Sequence, residues 1–445
     1  MSSSKINRRR LVASAAAGMG AAGAFGYASA RPGAPSTRYE MPAINRQSPV
    51  QLRWAIPGNP AEVAVYEQVA ADFMEQNPGI EVTTDREASD YEKIVSLIAA
   101  GTPPDIMFST INNWPAFAER NIFMALDDFI EQDSYDIDDF YEQILTPYRY
   151  DGEGFGDGPL YGLPKEIAVR AMYYNKDIFE EAGVEFPTAD EPWTWDQFIE
   201  MTQATTKVEG GRTRQYGYIL SAGWLYWQIW AWSAGGEPVD DLFKPTRSNL
   251  NDPAVLEGYK TFTDFVTELG TAPSSSVTRE QGTAEMFAAG LGATYNNGRW
   301  MVPLFRESDF EWDVMPHPYK TDRAQMLSGS IFAVSSATEH PEEAWKLLAY
   351  VSGTEGQMAM TELGLLLPSR KSVAESDVFL QSTPPESNQI FLDELEFAKP
   401  LPMTSKYPEI EKIMNDNTDL VLNGEQTAEE ALAIMHEQVD ALLQS

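Results

Sequence analysis

The fold of this chain is decided by the segment YGLPKEIAVRAMYYNKDIFEEAG, residues 161–183. Its apolar run at 167–174 predicts a buried strand, and Asn175 and Gly183 are expected to cap the two ends of the helix that follows. Three charged residues flank or interrupt the run: Lys165, Glu166 and Arg170. Because a buried charge without a partner is costly, we expect these side chains to face a cleft or a partner.

Strands and helices alternate on the N-terminal side of this segment. Period-two and helical patterns predict strands at 50–56, 80–84 and 105–108, separated by helices at 60–74 and 91–100. A βαβα order predicts a mostly parallel sheet with helices on both faces. Ligands of such sheets lie beyond the carboxyl ends of the strands, so the polar loop at 109–114 is a candidate ligand contact.

Composition and charge exclude several functions. The 445 residues carry a net charge of −35, and removing residues 1–30, which hold four basic and no acidic side chains, would make it −39. Such a surface repels nucleic acid and anionic lipid. The chain has no cysteine, so disulfides, thiolate metal sites, thiol catalysis and a lipidated-cysteine anchor are excluded. The three histidines are not in ligand spacing, and we expect no metal and no cofactor.

The N-terminus has the pattern of an export signal. Paired arginines in residues 7–12 precede a weakly apolar Ala/Gly run, and Ala28-Ser29-Ala30 offers small residues at the cleavage spacing. We predict a twin-arginine-type signal peptide at 1–30 and a disordered tether at 31–49. The mature protein is expected in the periplasm or the extracellular cell-surface space.

Two aromatic segments are candidate sites. Residues 224–232 hold five aromatic side chains in WLYWQIWAW, and residues 296–301 read NNGRWM. Pockets for small ligands are mostly apolar with a few placed polar groups. Sugars offer apolar C–H faces to flat rings, so we expect at least one of these rings to be a ligand platform. The alternative, a helix packed into a large core, stays open.

The order of these motifs resembles extracellular solute-binding protein family 1, the maltose-binding-protein-like receptors of ABC sugar importers. The matching pieces include GTPPD at 101–105, YYNK at 173–176, NGRW at 297–300, SGSIFAVS at 328–335 and GLLLPSR at 364–370. The resemblance covers about residues 50–443. It implies an α/β, two-lobed periplasmic-binding-protein fold of type II, with a ligand cleft between the lobes.

The resemblance also implies how the chain divides and what it does. The N-terminal lobe would hold residues 50–167 and 330–367, and the C-terminal lobe residues 168–329 and 368–445. The protein would be a non-enzymatic monomer that closes around a carbohydrate and delivers it to the transmembrane subunits of an ABC permease. By match to the family's motifs, the candidate ligand contacts are Asn112, Asn113, Trp114, Lys165, Glu166, Arg170, Trp224, Trp227, Gln228, Arg299, Trp300, Ser328, Ser330 and Arg370.

Three alternatives stay open. The family pattern usually has a neutral or small residue where Arg299 stands, and this departure leaves room for a uronate or a sugar phosphate, since arginine matches carboxylate and phosphate. The same fold could instead bind glycerol phosphodiester or another non-sugar solute, such as a peptide or an iron chelate. A secreted glycoside hydrolase is the alternative of another class, but it needs two cleft carboxylates, and the sequence offers only Glu166.

Overall fold

Two five-stranded sheets organise the described part of the chain. The structure is a computed structural model that describes residues 48–58, 60–86, 91–188, 190–364 and 366–445. The predicted signal peptide and nearly all of the predicted tether lie outside the described residues. The strands are β1 (Val50–Ala55), β2 (Ile80–Asp85), β3 (Ile106–Thr110), β4 (Arg149–Tyr150), β5 (Phe155–Leu160), β6 (Leu163–Ala168), β7 (Arg170–Asn175), β8 (Lys207–Glu209), β9 (Arg212–Ile219), β10 (Gly292–Gly298), β11 (Trp312–Met315), β12 (Gln325–Met326), β13 (Ser328–Val334) and β14 (Ala398–Lys399).

Helices cover the sheets. They are α1 (Pro60–Gln76), α2 (Tyr91–Ala99), α3 (Trp114–Ala118), α4 (Asp127–Asp133), α5 (Glu142–Leu145), α6 (Lys176–Ala182), α7 (Trp195–Thr205), α8 (Trp224–Ser233), α9 (Pro253–Thr267), α10 (Ser275–Gln281), α11 (Thr283–Ala288), α12 (Val302–Phe305), α13 (Pro341–Val351), α14 (Thr354–Glu362), α15 (Lys371–Ala374), α16 (Asp377–Leu380), α17 (Gln389–Asp393), α18 (Tyr407–Leu422) and α19 (Ala428–Leu443). Short 3-10 turns lie at Thr146–Tyr148, Arg299–Met301 and Glu394–Phe397.

The two sheets mix parallel and antiparallel pairs. The first sheet has the order β2-β1-β3-β13-β6, and the second has the order β11-β7-β10-β9-β8. In the first, β1 runs parallel to β2 and β3, whereas β13 is antiparallel to both β3 and β6. In the second, only the β9–β10 pair is parallel. The sheets are therefore less parallel than predicted, because β13 in the first sheet and β7 and β8 in the second run antiparallel to their neighbours.

The segment 161–183 passes from one sheet to the other. The predicted single strand is two strands, β6 in the first sheet and β7 in the second, with the break at Val169. The following helix is as predicted: Asn175 Oδ1 accepts a hydrogen bond from the backbone N–H of Ile178 at 3.1 Å. Gly183 ends α6 with φ of 68°, a value that suits glycine. The apolar pattern could not show the break because both halves are buried.

A second change of sheet occurs at residues 326–328. β12 ends at Met326 and β13 begins at Ser328, where Ser328 pairs with Ala168 at the end of β6. The two changes of sheet thus lie side by side. After Leu367, helices α15 and α16 still pack on α14, which lies against α1. The lobe boundaries given above stay a prediction.

Helices α8 and α9 pack closely in the apolar core beside the second sheet. Gly258 of α9 makes this approach possible, because a Cβ atom there would lie 2.4 Å from the backbone nitrogen of Ala231 in α8. Trp227 of α8 packs edge-on against Tyr259 of α9, with ring centroids 4.9 Å apart. The lack of a side chain at Gly258 therefore sets the distance between two helices.

We expect Gly258→Ala to destabilise the protein by about 1–3 kcal/mol, the usual cost of overpacking a core. The methyl group would meet backbone, so the helices must separate, and this outweighs the gain of about 1 kcal/mol in helix propensity. Urea unfolding measures the difference. Gly79→Ala is the control, because no atom lies within 4 Å of a Cβ placed there. Equal stability of the two variants would contradict the prediction.

Within the described ranges, no helix is both long enough and apolar enough to cross a membrane.

Candidate ligand-binding site

A cavity of about 650 Å³ opens in the second half of the chain, beyond the end of β9. Its wall is formed by the loop that leads into α8, by α10 and α11, by the middle of β10 and by α18. Its lining includes Ser221, Tyr226, Thr283 and Tyr295. Its volume is within the range of about 300–1,000 Å³ that small-molecule sites occupy.

Hydroxyl groups line one wall of this cavity. Ser221 Oγ donates to Thr283 Oγ1 at 3.3 Å, and the Thr283 hydroxyl lies 3.2 Å from the Tyr295 phenol. Asn297 Nδ2 also donates to the Tyr295 oxygen. Burial raises the pKa of Tyr295 above its ordinary value, so its phenol stays protonated at neutral pH. The wall can therefore both donate to and accept from a ligand rich in hydroxyl groups.

Beside the cavity, a guanidinium group lies between two aromatic rings. The Arg170 Cζ is 5.0 Å from the ring centroid of Tyr226 and 5.8 Å from that of Trp300. Arg170 Nη1 also lies 3.4 Å from Ser328 Oγ. Tyr226 and Trp300 are half-buried, whereas Arg170 is only 4% exposed. Residues from β7, α8, the 3-10 turn after β10 and the start of β13 thus meet at one point.

The orientation of Trp300 depends on Gly298. A Cβ atom at Gly298 would lie 2.0 Å from a carbon of the Trp300 ring, so the indole lies directly on the glycine. The backbone at Gly298 has φ of −85°, which any residue can adopt. The glycine is therefore required by the ring and not by the backbone.

Tyr407 joins a loop of the first sheet to helices around the second. Asn112 Nδ2 donates to the Tyr407 oxygen at 3.2 Å, and the Tyr407 phenol donates to Glu411 Oε1 at 3.0 Å. The ring of Tyr407 stacks on Trp224 with centroids 5.6 Å apart. Burial, followed by the nearby Glu411, raises the pKa of Tyr407, and burial also raises the pKa of Glu411. Asn112 and Glu411 remain half-buried beside this contact.

Lys165 lies inside a small ion network. Its Nζ is 3.0 Å from Glu62 Oε1 and 2.8 Å from Glu166 Oε2, and Glu166 Oε1 accepts from Ser330 Oγ at 2.7 Å. Burial alone would lower the pKa of Lys165, but the carboxylates of Glu166 and Glu62 outweigh it, and the pKa is raised. The network fixes both charges of the 165–166 pair within the protein.

Two predicted contacts, Arg299 and Arg370, lie in buried hydrogen-bond networks of their own. Arg299 donates to the backbone oxygens of Gly364 and Leu366 and to Asn388 Oδ1. Arg370 is ion-paired with Asp139 at 3.0 Å, and its remaining donors bond to Tyr135 and to backbone oxygens. These partners satisfy both guanidinium groups, so we now assign them a structural role.

The aromatic helix presents a different side chain to the cavity from those expected. Trp224, Trp227 and Gln228 of α8 are fully buried, whereas Tyr226 lines the cavity. Trp114 is also fully buried, with its indole N–H donating to the Pro147 oxygen at 2.9 Å. The sequence could not distinguish the core face of α8 from the cavity face, because both carry aromatic rings.

Of the predicted residues, Arg170, Trp300 and Ser328 meet in one candidate site. Asn112 joins them through Tyr407, whose phenol lies close enough to Arg170 for the guanidinium charge to act on its pKa, and Asn113 is half-buried next to Asn112. Sequence reasoning missed Tyr226, Tyr407 and Glu411. Tyr226 stood in the quoted aromatic segment, but Tyr407 and Glu411 lie on a helix whose sequence gave no signal of its own.

His317 is a buried histidine with no role in this site. Its Nδ1 lies 2.9 Å from the Pro318 oxygen, and its ring meets Trp230 edge-on with centroids 5.2 Å apart. In the described residues, no cluster of three or more metal-ligating side chains forms a metal site. Burial lowers the pKa of His317 to about 4, because the charged imidazolium is poorly solvated there.

We expect His317 to make folding stability depend on pH. The unfolded state binds a proton near pH 6.5 and the folded state only near 4, so stability falls as the pH drops through this window, by about 3 kcal/mol in total. His317→Asn should remove this contribution and flatten the urea-unfolding profile between pH 7 and 4.5. His340→Asn is the control and should keep the wild-type slope. Parallel profiles for His317→Asn and wild type would contradict the assignment.

Fold and site together define a two-lobed solute-binding protein of the periplasmic type, with crossover strands running past the candidate site. The family model described as bacterial extracellular solute-binding protein matches residues 57–358. The chain belongs to this family.

Relatives and solved structures agree with this assignment. A Brucella abortus protein named as a binding protein is 25% identical over 388 residues, which cover 85% of this chain and 89% of the relative. The maltotriose-binding protein of Pyrococcus abyssi is 24% identical over 58% of this chain and 51% of its own. An ABC substrate-binding protein from Listeria monocytogenes, solved with cycloalternan, has a TM-score of 0.80 at 24% identity and covers 89% of this chain and 99% of its own. The family thus consists of binding proteins, and the structural likeness supports the same fold.

Proposed function

We propose that this protein captures a carbohydrate outside the cytoplasmic membrane and delivers it to an ABC permease. The observation that carries the proposal is the combination of half-buried aromatic rings and hydroxyl groups around the cavity. Tyr226 and Trp300 offer flat faces, and the Ser221–Thr283–Tyr295 chain offers donors and acceptors. A saccharide needs both, because its rings have apolar C–H faces and polar rims.

Binding is expected to involve closure of the two lobes. Asn112 of the first sheet's loop already reaches Tyr407, and the chain changes sheet twice beside the site. A ligand that contacts groups on both sides would stabilise the closed form, which a permease can distinguish from the open one. The protein would act as a monomer and perform no chemistry on its ligand.

A thermal-shift screen tests this proposal. The mature protein is mixed with mono- and oligosaccharides, and a ligand present at 100 times its Kd should raise stability by about 2.7 kcal/mol. We expect at least one carbohydrate to raise Tm, with affinity confirmed by calorimetry. If no carbohydrate shifts Tm, the carbohydrate proposal fails.

A glycerol phosphodiester is the second candidate. The observation that favours it is the buried guanidinium of Arg170, because arginine binds phosphate well. A Tm shift with glycerophosphodiesters and none with saccharides would select it.

The hydrolase alternative has little support from the site. Glu166 is held by Lys165 and Ser330, and Glu411 accepts from Tyr407, whereas glycoside hydrolysis needs one carboxyl group that donates a proton and a second placed across the bond. Release of reducing sugar during the screen would favour the hydrolase instead.

A further inference from the structure

The guanidinium of Arg170 has few polar partners for a buried charge. Its Nη1 lies 3.6 Å from Met326 Sδ and 3.4 Å from Ser328 Oγ, which are long contacts to weak or neutral acceptors. Its Nε is buried without a hydrogen-bond partner. Across the described ranges, no carboxylate forms an ion pair with Arg170. Since Arg170 is only 4% exposed, water cannot replace these partners fully.

The other buried cations in the described residues are satisfied differently. Lys165 has two carboxylates, and Arg370 has one carboxylate and several oxygens. Arg299 has no carboxylate, but three oxygens accept its donors. Removing a charge from water costs several kcal/mol unless a counter-charge or strong hydrogen bonds replace the solvent. Arg170 is thus the exception among these groups.

The two aromatic rings beside Arg170 offset only part of this cost. A cation over an aromatic ring gains about 0.5–2 kcal/mol. Neither ring gives a hydrogen-bond acceptor to the N–H groups at the edge of the guanidinium. The backbone oxygen of Arg170 accepts from Gln325 Nε2 at 2.6 Å, which fixes the start of β7. The guanidinium itself keeps only the long contacts to Met326 and Ser328.

We propose that the ligand carries an oxyanion, a carboxylate or a phosphate, that pairs with the Arg170 guanidinium between Tyr226 and Trp300. This inference rests on the proposed function and names the ligand class of the same site. The nearby carboxylates do not compete for the guanidinium, because Glu166 is paired with Lys165 and Glu411 accepts from Tyr407. The guanidinium presents a planar fork that carboxylates and phosphates both fit.

The net charge of the protein bears on how an anionic ligand would bind. With a net charge of −35, the surface opposes the approach of an anion at long range. The negative group of the ligand would therefore gain favourable electrostatic energy only from a local contact such as that with Arg170. The inference therefore differs from general electrostatic attraction. Loss of Arg170 should remove the preference for an anionic ligand, while the net charge of the protein hardly changes.

The test compares matched ligands on the mature protein by calorimetry. The neutral and anionic partners are glucose with glucuronate and glucose 6-phosphate, galactose with galacturonate, and glycerol with glycerol 3-phosphate. Glycerophosphocholine, a zwitterion without net charge, is a further phosphate probe. We expect one anionic partner to bind at least 10 times more tightly than its neutral partner. Preference for uronates identifies a carboxylate, and preference for phosphorylated probes identifies a phosphate.

Variants connect the preference to the residue. Arg170→Met should reduce affinity for the anionic probe at least 10-fold and should reduce affinity for the neutral partner much less. Lys412→Met removes the same charge from an exposed position on α18 and should keep the preference. If Arg170→Met does not fold, Arg170→Lys replaces it: the planar fork is lost, so affinity for the anionic probe should fall several-fold while affinity for the neutral partner falls less.

The outcomes separate this inference from the proposed function. Equal or tighter binding of the neutral partners, or equal losses for both partners in Arg170→Met, would overturn the inference while leaving carbohydrate capture in place. Binding of glycerophosphocholine through Arg170, with no saccharide bound, would support the inference and reject the carbohydrate. If none of the anionic probes binds, the inference is rejected.

Discussion

Replacing Lys165 by methionine should lower the free energy of unfolding by about 3–5 kcal/mol, the usual cost of removing one partner from a buried ion pair. The side chain of Lys165 is 5% exposed and lies between Glu62 and Glu166. Without the ammonium, the two carboxylates would face each other in a poorly solvated place. Urea unfolding of wild type and variant at pH 7.5 measures the loss.

The pH dependence identifies the cause of this loss. In Lys165→Met, burial and mutual repulsion should raise the folded-state pKa of the carboxylates above their unfolded values. Protonation then stabilises the folded variant. The difference in free energy of unfolding between wild type and Lys165→Met should therefore shrink as the pH falls from 8 to 5 and grow as the pH rises. A deficit that is constant over this range would point to lost packing and not to unpaired charge.

Two further variants complete the test. Lys207→Met removes an exposed lysine that pairs with Glu181, and exposed pairs contribute only about 0–1 kcal/mol. Adding Glu166→Gln to Lys165→Met should recover part of the stability, because it removes one unpaired carboxylate. A loss below about 1 kcal/mol in Lys165→Met would show that water reaches the network, contrary to the burial described here.

Replacing Trp300 by alanine should weaken binding of the cognate ligand by about 2–3 kcal/mol, or roughly 30–150-fold, as for other aromatic anchors in binding sites. Trp300 is half-buried beside Arg170 and Tyr226. Its replacement should therefore remove ligand contacts more than core packing. Calorimetry with the best ligand of the thermal-shift screen gives the affinity, and urea unfolding of the ligand-free variant gives its stability.

Gly298→Ala offers a matched test that keeps the tryptophan. The new methyl group would lie 2.0 Å from the indole, so the ring must turn away although the backbone can accept alanine. We expect a loss of affinity close to that of Trp300→Ala. Gly79→Ala is the control and should bind like wild type. Normal affinity in both Trp300→Ala and Gly298→Ala, with reduced stability, would assign Trp300 to the core.

Much of the local structure could be predicted from sequence. The caps of α6, the alternation of strands and helices at 50–110 and the family's motif order were predicted correctly, and the family model matches residues 57–358. These features depend on residues close together in the chain, because a cap acts over three or four residues and a strand pattern repeats every two.

The sheet change at Val169 was not predictable in the same way. Residues on both sides of it are buried, so the apolar pattern continues unbroken while the hydrogen-bond partners change from β13 to β10 and β11. Only the partners, which lie more than 100 residues away in the chain, distinguish one strand from two.

The sequence by itself determined that charged residues interrupt a buried crossover, and it identified the family that this crossover resembles. Only the tertiary structure decided which charges are satisfied within the protein. Lys165 meets Glu62, Arg299 meets Asn388 and Arg370 meets Asp139, each pair separated by many residues. Arg170 is left among aromatic rings. The partner of a buried charge depends on which residues are close in three dimensions. Residue type and spacing along the chain do not show this, so Arg170 differs from the other buried cations only in the folded chain.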